Sequence, residues 1–174
     1  MSRTLTTNSH PALRQSAEDL AEAVLEEYWS DDDLPIDPVV IARRLGAEVF
    51  NAQLGNDVIG MIMGDPSGAS IYLDEDQPRN RYRFTCAHEI GHYVERSGSL
   101  DAPSNYVDRR SDESVAPWEK PEDEIFADHF AGALLMPRQK LVSMMEKGMS
   151  DLAMANEFGV ALGSLRYRKS FFPA

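Results

Sequence analysis

The stretch "FTCAHEIGHYVERSG", residues 84–98, decides how the rest of the chain is interpreted. It holds two of the four histidines, His88 and His92, with Glu89 directly after the first. On an α-helix each residue advances about 100°, so histidines four apart share one face, with roughly 5 to 6 Å between their Cβ atoms. Both imidazoles can then bind one zinc ion, and Glu89, about 100° further round, stands beside that ion where a general base is needed.

A catalytic zinc ion needs a third protein ligand and one open position. The stretch "EIFADHFAGALLMP", residues 124–137, offers carboxylates, because Glu124 and Asp128 begin a helical stripe that is otherwise small and apolar. Glu124 is predicted to be the third ligand, and Asp128 is predicted to accept the free ring N–H of a zinc-bound histidine. Glu95, seven residues after His88 on the same helical face, remains an alternative ligand.

The residue that stabilises the transition state is not singled out by the sequence. His129 lies about 140° round the helix from Glu124, so it should not reach the same metal ion. It either assists the reaction from the loop side or is a surface or packing residue. The other candidates are side chains that can donate a hydrogen bond to a developing negative charge, namely Tyr72, Tyr82, Tyr106 and Arg109.

The segments before the histidine helix predict two helices and a small antiparallel sheet. Apolar residues at helical spacing predict a helix from Leu13 to Tyr28. A short second helix is delimited by Asp37 as N-cap, Pro38 at its first position and Gly46 after its last turn. Three short segments with β-like composition follow, near residues 47–53, 57–63 and 69–73.

The second half of the chain predicts mainly helices around one long loop. The histidine helix is predicted to run from about Arg79 to Arg96. Residues 97–120 are polar and lack a sustained period, which predicts either an ordered functional loop or a mobile one, with "YVDRR" at 106–110 as a brief strand. After the helix that carries Glu124, three shorter helices are predicted, at Arg138–Lys147, Asp151–Phe158 and Ser164–Phe171.

The bulk composition indicates one ordinary domain, because 174 residues with 43% apolar content can bury a single core. The formal net charge of -12 repels phosphates, so direct nucleic-acid binding is not expected. Cys86 is the single cysteine, which excludes an intramolecular disulfide and fits a reducing compartment. No secretory signal or membrane span is recognised, so a cytoplasmic location without a membrane partner is expected.

Two motifs together carry a family resemblance. "RFTCAHEIGHY", residues 83–93, followed by "EIFADHFAGALLMP" resembles the ImmA/IrrE family of zinc-dependent endopeptidases, over residues 36–170. The resemblance implies one Zn²⁺ ion held by His88, His92 and Glu124, with Glu89 as the catalytic base. One departure is Phe126, which stands where the family commonly has an acidic or polar residue, and it leaves Glu124 as the carboxylate in register.

The same resemblance implies a fold, a domain organisation and a role. The fold class is α+β, with a small antiparallel sheet packed on a zincin-like helical core. The implied domains are a flexible N-terminus at 1–12, a metallopeptidase core at 13–137, and a C-terminal helical subdomain resembling a helix-turn-helix at 138–174. The role implied is limited, regulatory cleavage of a protein substrate, either a helix-turn-helix transcriptional repressor or an antitoxin-like protein, in stress responses.

A regulator without catalytic activity is the alternative. "LAMANEFGVALGSLRYRKS", residues 152–170, resembles a helix-turn-helix, and its second helix carries Arg166, Arg168 and Lys169. Such a chain would bind DNA or retain zinc as a structural ion. The acidic net charge argues against DNA binding, and the intact Glu89 argues against a structural zinc site, which has no use for a base. The substrate, the activating signal, the metal loaded in the cell and the oligomeric state are not predicted.

Overall fold

The computed structural model describes residues 9–29, 33–98, 106–111 and 120–173. This described part is an α+β structure of seven helices and four strands. In chain order they are α1 (Ser9–Tyr28), α2 (Pro38–Arg44), β1 (Glu48–Ala52), β2 (Val58–Asp65), β3 (Gly68–Asp74), α3 (Arg79–Ser97), β4 (Tyr106–Ser111), α4 (Glu122–Leu135), α5 (Arg138–Glu146), α6 (Asp151–Phe158) and α7 (Leu162–Lys169).

The ends of α2 follow the predicted caps, whereas α1 and α7 begin four and two residues before their predicted starts. Asp37 caps α2 by accepting a hydrogen bond from the backbone N–H of Val39 at 2.9 Å. Helix α1 begins at Ser9, so part of the N-terminus predicted to be flexible is helical, while residues 1–8 lie outside the described part. Most of the predicted loop, at 99–105 and 112–119, also lies outside it, so its role stays untested.

The sheet is mixed, which corrects the prediction of an antiparallel sheet. The strand order is β1-β3-β2-β4, and β1 runs parallel to β3 while β2 is antiparallel to both of its neighbours. Strands β2 and β3 form a hairpin, whose turn is held by the carboxylate of Asp65 accepting from the Ser67 backbone N–H at 2.7 Å. Strand β4 pairs with the other edge of β2, and β1 pairs with the other edge of β3.

The two faces of the sheet differ in what they contact. Ile62, Ile71 and Leu73 point inward and are fully buried against the helical layer. The outer face carries exposed apolar side chains, Phe50, Met63 and Val107. Successive side chains in a strand alternate between the two faces. A polar side chain of the sheet can therefore reach α3 only from a position on the inner face.

Helices α3 and α4 touch at the level of the backbone. A Cβ atom at Gly91 in α3 would lie 3.1 Å from the Cα atom of Ala127 and 3.1 Å from a ring carbon of Phe130, both in α4. That approach brings the histidine helix close to the helix that carries Glu124. Helix α1 packs on α4 as well, so most of α4 is buried.

Replacing Gly91 by alanine is expected to destabilise the fold, although alanine is the better helix former. The propensity gain is about 1 kcal/mol, whereas forcing a methyl group into a well-packed contact costs about 1–3 kcal/mol. Urea denaturation should therefore give a lower free energy of unfolding. Gly132→Ala in α4 is the control, because its new Cβ would meet its nearest atom at 3.7 Å and should stabilise the helix. A Gly91→Ala protein as stable as the wild type would contradict this packing.

Buried arginines anchor the C-terminal helices to the rest of the fold. Arg168 in α7 donates to both carboxylate oxygens of Glu18 in α1, at 2.6 and 2.5 Å, and to the Met136 carbonyl at 3.2 Å. Arg83 in α3 donates to the carbonyls of Ile36 and Gly159, at 2.5 and 3.1 Å. These contacts attach α6 and α7 to the core. The helix-turn-helix resemblance of this segment stays a prediction.

The basic side chains of α7 are paired within the protein. Arg166 and Lys169 both donate to the carboxylate of Asp151, at 3.1 and 2.6 Å, and Arg168 is bound to Glu18. These three basic residues therefore already have acidic partners. Within the described residues, no helix is both long enough and apolar enough to cross a membrane.

Candidate metal centre

Three side chains converge between α3 and α4. The Nε2 atoms of His88 and His92 are 3.1 Å apart, as expected for histidines one helical turn apart. Each faces a different oxygen of Glu124, His88 at 3.1 Å and His92 at 2.8 Å. Glu95, the alternative ligand, does not belong to this cluster within the described residues.

The spacing and chemistry of these donor atoms fit a bound cation. Four ligands at about 2.0–2.1 Å in tetrahedral geometry place neighbouring donor atoms about 3.3 Å apart. The observed separations of 2.8 to 3.1 Å are slightly shorter, so a small adjustment of the side chains suffices. Two imidazoles and a carboxylate are also ligands that first-row metals accept. His88, His92 and Glu124 can therefore hold a metal ion.

The charge state of the cluster reflects these close contacts. Burial by itself raises the pKa of Glu124, but hydrogen bonds from His88 and His92 outweigh it and hold that pKa far below its usual value. Burial also lowers the pKa of His92, yet the hydrogen bond to Glu124 and the charge of Glu89 raise it overall. The site thus favours an ionised Glu124 beside positive charge, which is the balance that a bound cation provides.

Glu89 lies behind the cluster in a buried position. Its side chain is only 1% exposed, and within the described residues neither carboxylate oxygen has a hydrogen-bond partner. Strand β2 comes close to it because residue 60 is glycine, whose added Cβ would lie 3.1 Å from Glu89 Oε1. Burial raises the pKa of Glu89, opposed by the positive charges of His88, His92 and Arg110. This carboxyl group therefore holds a proton more readily than an ordinary glutamate.

Asp128 connects the cluster to a second layer of charge. The Nδ1 atom of His88 is 2.8 Å from Asp128 Oδ1, so an N–H there donates to the carboxylate and leaves Nε2 free for a metal ion. Arg110 donates to the same oxygen at 2.8 Å, and Lys120 donates to the other. Burial raises the pKa of Asp128, but these donors outweigh it and keep the pKa very low.

Arg110 was missed by the sequence analysis, which named its neighbour Arg109. Strand β4 alternates between half-buried and exposed positions, with Arg110 on the inner side and Arg109 on the exposed side. Arg110 pairs with Gly60 of β2, and Gly60 lies beside Glu89. The register of the two strands is irregular between Val58 and Gly60. The alternation of side chains along "YVDRR" could have identified Arg110. It lies four positions after the apolar Tyr106, and so on the same face of the strand.

The other candidate stabilisers are placed away from the three converging side chains. Tyr72 and Arg109 both pair with Met61, and Tyr72 stacks on Phe50 at 5.3 Å on the outer face of the sheet. Tyr82 donates its hydroxyl hydrogen to Asn51 at the end of β1. The guanidinium of Arg96 lies over the ring of Tyr106 at 4.3 Å.

His129 faces α7 rather than α3. Its ring stacks on Tyr167 at 6.3 Å and meets the edge of Phe171 at 5.5 Å. Burial lowers the pKa of His129, and the nearby guanidinium of Arg14 lowers it further. The structure therefore places an uncharged ring in an aromatic cluster on the far side of Asp128.

Comparison with known proteins connects this geometry to a family. The model of the IrrE N-terminal-like domain, a peptidase family, matches residues 42–170. A solved structure described as a Mycobacterium tuberculosis transcriptional regulator is similar in fold, with a TM-score of 0.58 at 16% identity. That match covers 91% of this chain and 51% of the other, so this chain spans about half the length of that regulator. No curated protein sequence matches the chain.

Proposed function

We propose that this chain, which belongs to the peptidase family of the IrrE N-terminal-like domain, is a zinc-dependent endopeptidase that makes limited cuts in a protein substrate. In this proposal His88, His92 and Glu124 hold the ion and Glu89 is the catalytic base. One observation carries it, namely the buried carboxylate of Glu89 beside the three converging side chains, with no hydrogen-bond partner among the described residues.

The position of Glu89 is hard to explain by structure alone. A buried polar group without a partner costs about 1–3 kcal/mol, and a buried charge costs more. A purely structural zinc site is closed by protein ligands and needs no such group. A base that takes a proton from water in the open position does need it. Glu89 therefore favours catalysis over the alternative of a regulator that retains a structural zinc ion.

The residues divide the chemistry of peptide hydrolysis among them. A zinc ion at this site supplies Lewis acidity, which lowers the pKa of a water ligand and polarises a carbonyl group. Glu89 accepts the proton of the attacking water and delivers it to the departing amine nitrogen. Asp128 keeps the proton of His88 on Nδ1, at 2.8 Å, so that Nε2 remains free for the metal ion.

Zinc is the metal that the donor set supports best. Two histidines and one carboxylate, with one position left open, form a recurring catalytic zinc set. Iron, cobalt and manganese accept the same types of ligand, so the choice among metals rests on geometry and supply. Elemental mass spectrometry of the purified protein tests the choice directly.

Replacing Asp128 by asparagine is expected to weaken zinc binding by about 10- to 100-fold. The amide cannot carry the negative charge that pairs with Arg110 and Lys120, and it holds the ring of His88 less firmly. A competition titration with a zinc chelator measures the change. Asp151→Asn is the control, because its partners Arg166 and Lys169 lie on α7. An unchanged zinc affinity in Asp128→Asn would remove Asp128 from the site.

The substrate class rests on the family and on the sequence analysis. We infer a cytoplasmic protein substrate, most consistent with a helix-turn-helix transcriptional repressor, in a regulatory or stress response. The similar solved structure is itself described as a transcriptional regulator, which supports a regulatory context. The internal pairing of Arg166, Arg168 and Lys169 favours a substrate-binding role for α6 and α7 over direct DNA binding.

Comparison of protein N-termini in cells tests the proposed activity. The native host would express either the wild-type chain or Glu89→Gln, and newly formed N-termini would be compared by mass spectrometry. The proposal expects a small set of termini that depends on Glu89 and falls within DNA-binding regulators. Identical termini in both cultures, with zinc present in both proteins, would argue against an endopeptidase.

A further inference from the structure

A pocket of about 140 Å³ lies between α4 and α7, beside the candidate metal centre. Four of the residues that line it carry aromatic rings, namely Phe84, His129, Tyr167 and Phe171. Tyr167 and Phe171 meet edge to face at 5.0 Å, and Tyr167 is 61% exposed, so the pocket opens to the surface beside it. None of these side chains has a role in the proposed proton transfer.

The pocket adjoins the metal centre through two residues behind His88. Asp128 and Arg110 line it and also form the second layer behind His88. Only the imidazole ring of His88 separates its wall from the Nε2 atom that faces Glu124. A peptide bound with its reacting carbonyl at the metal centre can therefore place a nearby side chain in this pocket.

Gly132 provides an independent reason to regard the pocket as functional. It lies inside α4, where glycine costs about 1 kcal/mol relative to alanine. Packing does not require a glycine here, because an added Cβ would meet its nearest atoms, Arg168 Cδ and Met136 Cε, at 3.7 and 4.0 Å. Gly91 differs, since a Cβ there would meet α4 atoms at 3.1 Å and could be accepted only if they moved. What Gly132 does provide is open volume in the pocket that it lines.

The charged side chains around the pocket are paired with other protein groups. Asp128 is paired with Arg110 and Lys120, and Arg168 is bound to both oxygens of Glu18. The pKa of His129 is lowered by burial, which leaves the ring neutral at pH 7. The surface left for a ligand is mostly carbon.

The size of the pocket points to a single side chain. A cavity of about 150 Å³ lined by apolar residues can hold one benzene molecule, whereas small-molecule sites usually measure about 300–1,000 Å³. The observed 140 Å³ thus matches one leucine or phenylalanine side chain. Burying such a group contributes enough to favour binding by about tenfold to a hundredfold.

We propose that this pocket is a specificity subsite for one apolar side chain of the peptide substrate, and that Gly132 keeps it open. The inference rests on the proposed endopeptidase function, because it requires a peptide held at the metal centre. It assigns His129 and Tyr167 to the walls of the subsite. It also limits the substrate to sequences with a leucine-like or phenylalanine-like residue close to the cleaved bond.

Peptide hydroxamates that differ in one side chain test this proposal. The hydroxamate group binds the zinc ion of the loaded chain, so a probe with hydrogen as its side chain reports on the metal centre alone. Probes with isobutyl, benzyl and aminobutyl side chains report on the pocket. Isothermal titration should show that isobutyl or benzyl binds at least tenfold more tightly than hydrogen, and that aminobutyl gains less.

Three variants separate the pocket from the fold. Gly132→Leu fills the pocket and should abolish the gain from isobutyl or benzyl, while the hydrogen probe binds as before. Gly163→Leu in α7 is the matched control, because a Cβ there meets no atom within 4 Å, and it should keep the gain. Tyr167→Ala removes an exposed wall and should reduce the gain, even if Gly132→Leu fails to fold.

The outcomes distinguish the two proposals. If the hydrogen probe binds but apolar side chains add nothing, or if the gain survives in both Gly132→Leu and Tyr167→Ala, the subsite is wrong and the metal centre stands. The largest gain from the aminobutyl probe would also overturn the apolar subsite. If the hydrogen probe does not bind the zinc-loaded wild-type chain, the metal centre of the proposed function fails, and the subsite fails with it.

Discussion

Replacing Glu89 by glutamine is expected to slow peptide cleavage by about a hundredfold or more, with the zinc content unchanged. Glutamine has nearly the same shape as glutamate but cannot accept the proton of the attacking water. Because Glu89 is not among the three converging side chains, the substitution leaves all three predicted zinc ligands in place. The rate is measured on a protein substrate identified from the comparison of N-termini, at equal zinc loading.

A second substitution on the same helix controls for a general effect of lost charge. Glu95 is half-buried in α3 and lies outside the cluster within the described residues, so Glu95→Gln should retain cleavage. Glu89→Gln should also be at least as stable to heat as the wild type, because burying an amide costs less than burying a carboxylate. A Glu89→Gln protein that cuts at the normal rate would disprove the assignment of the base.

Replacing Glu124 by alanine is expected to remove most of the bound zinc. The wild-type chain should carry about one ion per molecule, since its three protein ligands leave one position open. The variant retains only His88 and His92, which come from a single helix. Elemental mass spectrometry on both proteins, after loosely bound ions have been removed, measures the difference.

The alternative ligand supplies the decisive comparison for this prediction. If Glu124 is the third ligand, Glu95→Ala keeps its zinc and Glu124→Ala loses it. Loss of zinc from Glu95→Ala alone would instead place the ligand on α3 and overturn the geometry of the cluster. Circular dichroism shows whether Glu124→Ala is folded, so that metal loss can be separated from unfolding. An ion-free wild-type chain would contradict a zinc enzyme.

The sequence alone was sufficient to group the polar side chains that lie on one helix. The spacing of His88 and His92 places both rings on one face wherever the helix packs, because the helical period is local. The same reasoning placed Glu124 and Asp128 on one stripe of α4. Neither period shows that the two stripes meet. The need for a third zinc ligand predicted it, the family resemblance implied the same, and the structure gave the distances.

Contacts between strands depended on the tertiary structure. A period of two assigns the residues of β4 to two faces, but it does not say which face meets the core. Pairing with Gly60 of β2 places Arg110 on the half-buried side of β4, and pairing with Met61 leaves Arg109 on the exposed side. That β1 pairs with β3, and in parallel, was likewise visible only in the tertiary structure.

The pocket beside Asp128 is the clearest case of a feature that only the tertiary structure decided. The sequence identified α4 as a helix and indicated the approximate position of the last helix, yet Gly132 was one small residue among several. Whether Gly132 is needed for a close contact or leaves an open space depends on the atoms around it. Those atoms come from α7 and from the C-terminal end of α4. Local periodicity determined the helices and the grouping of the histidines. Packing between segments distant in sequence determined which residues face the metal centre and which space remains open beside it.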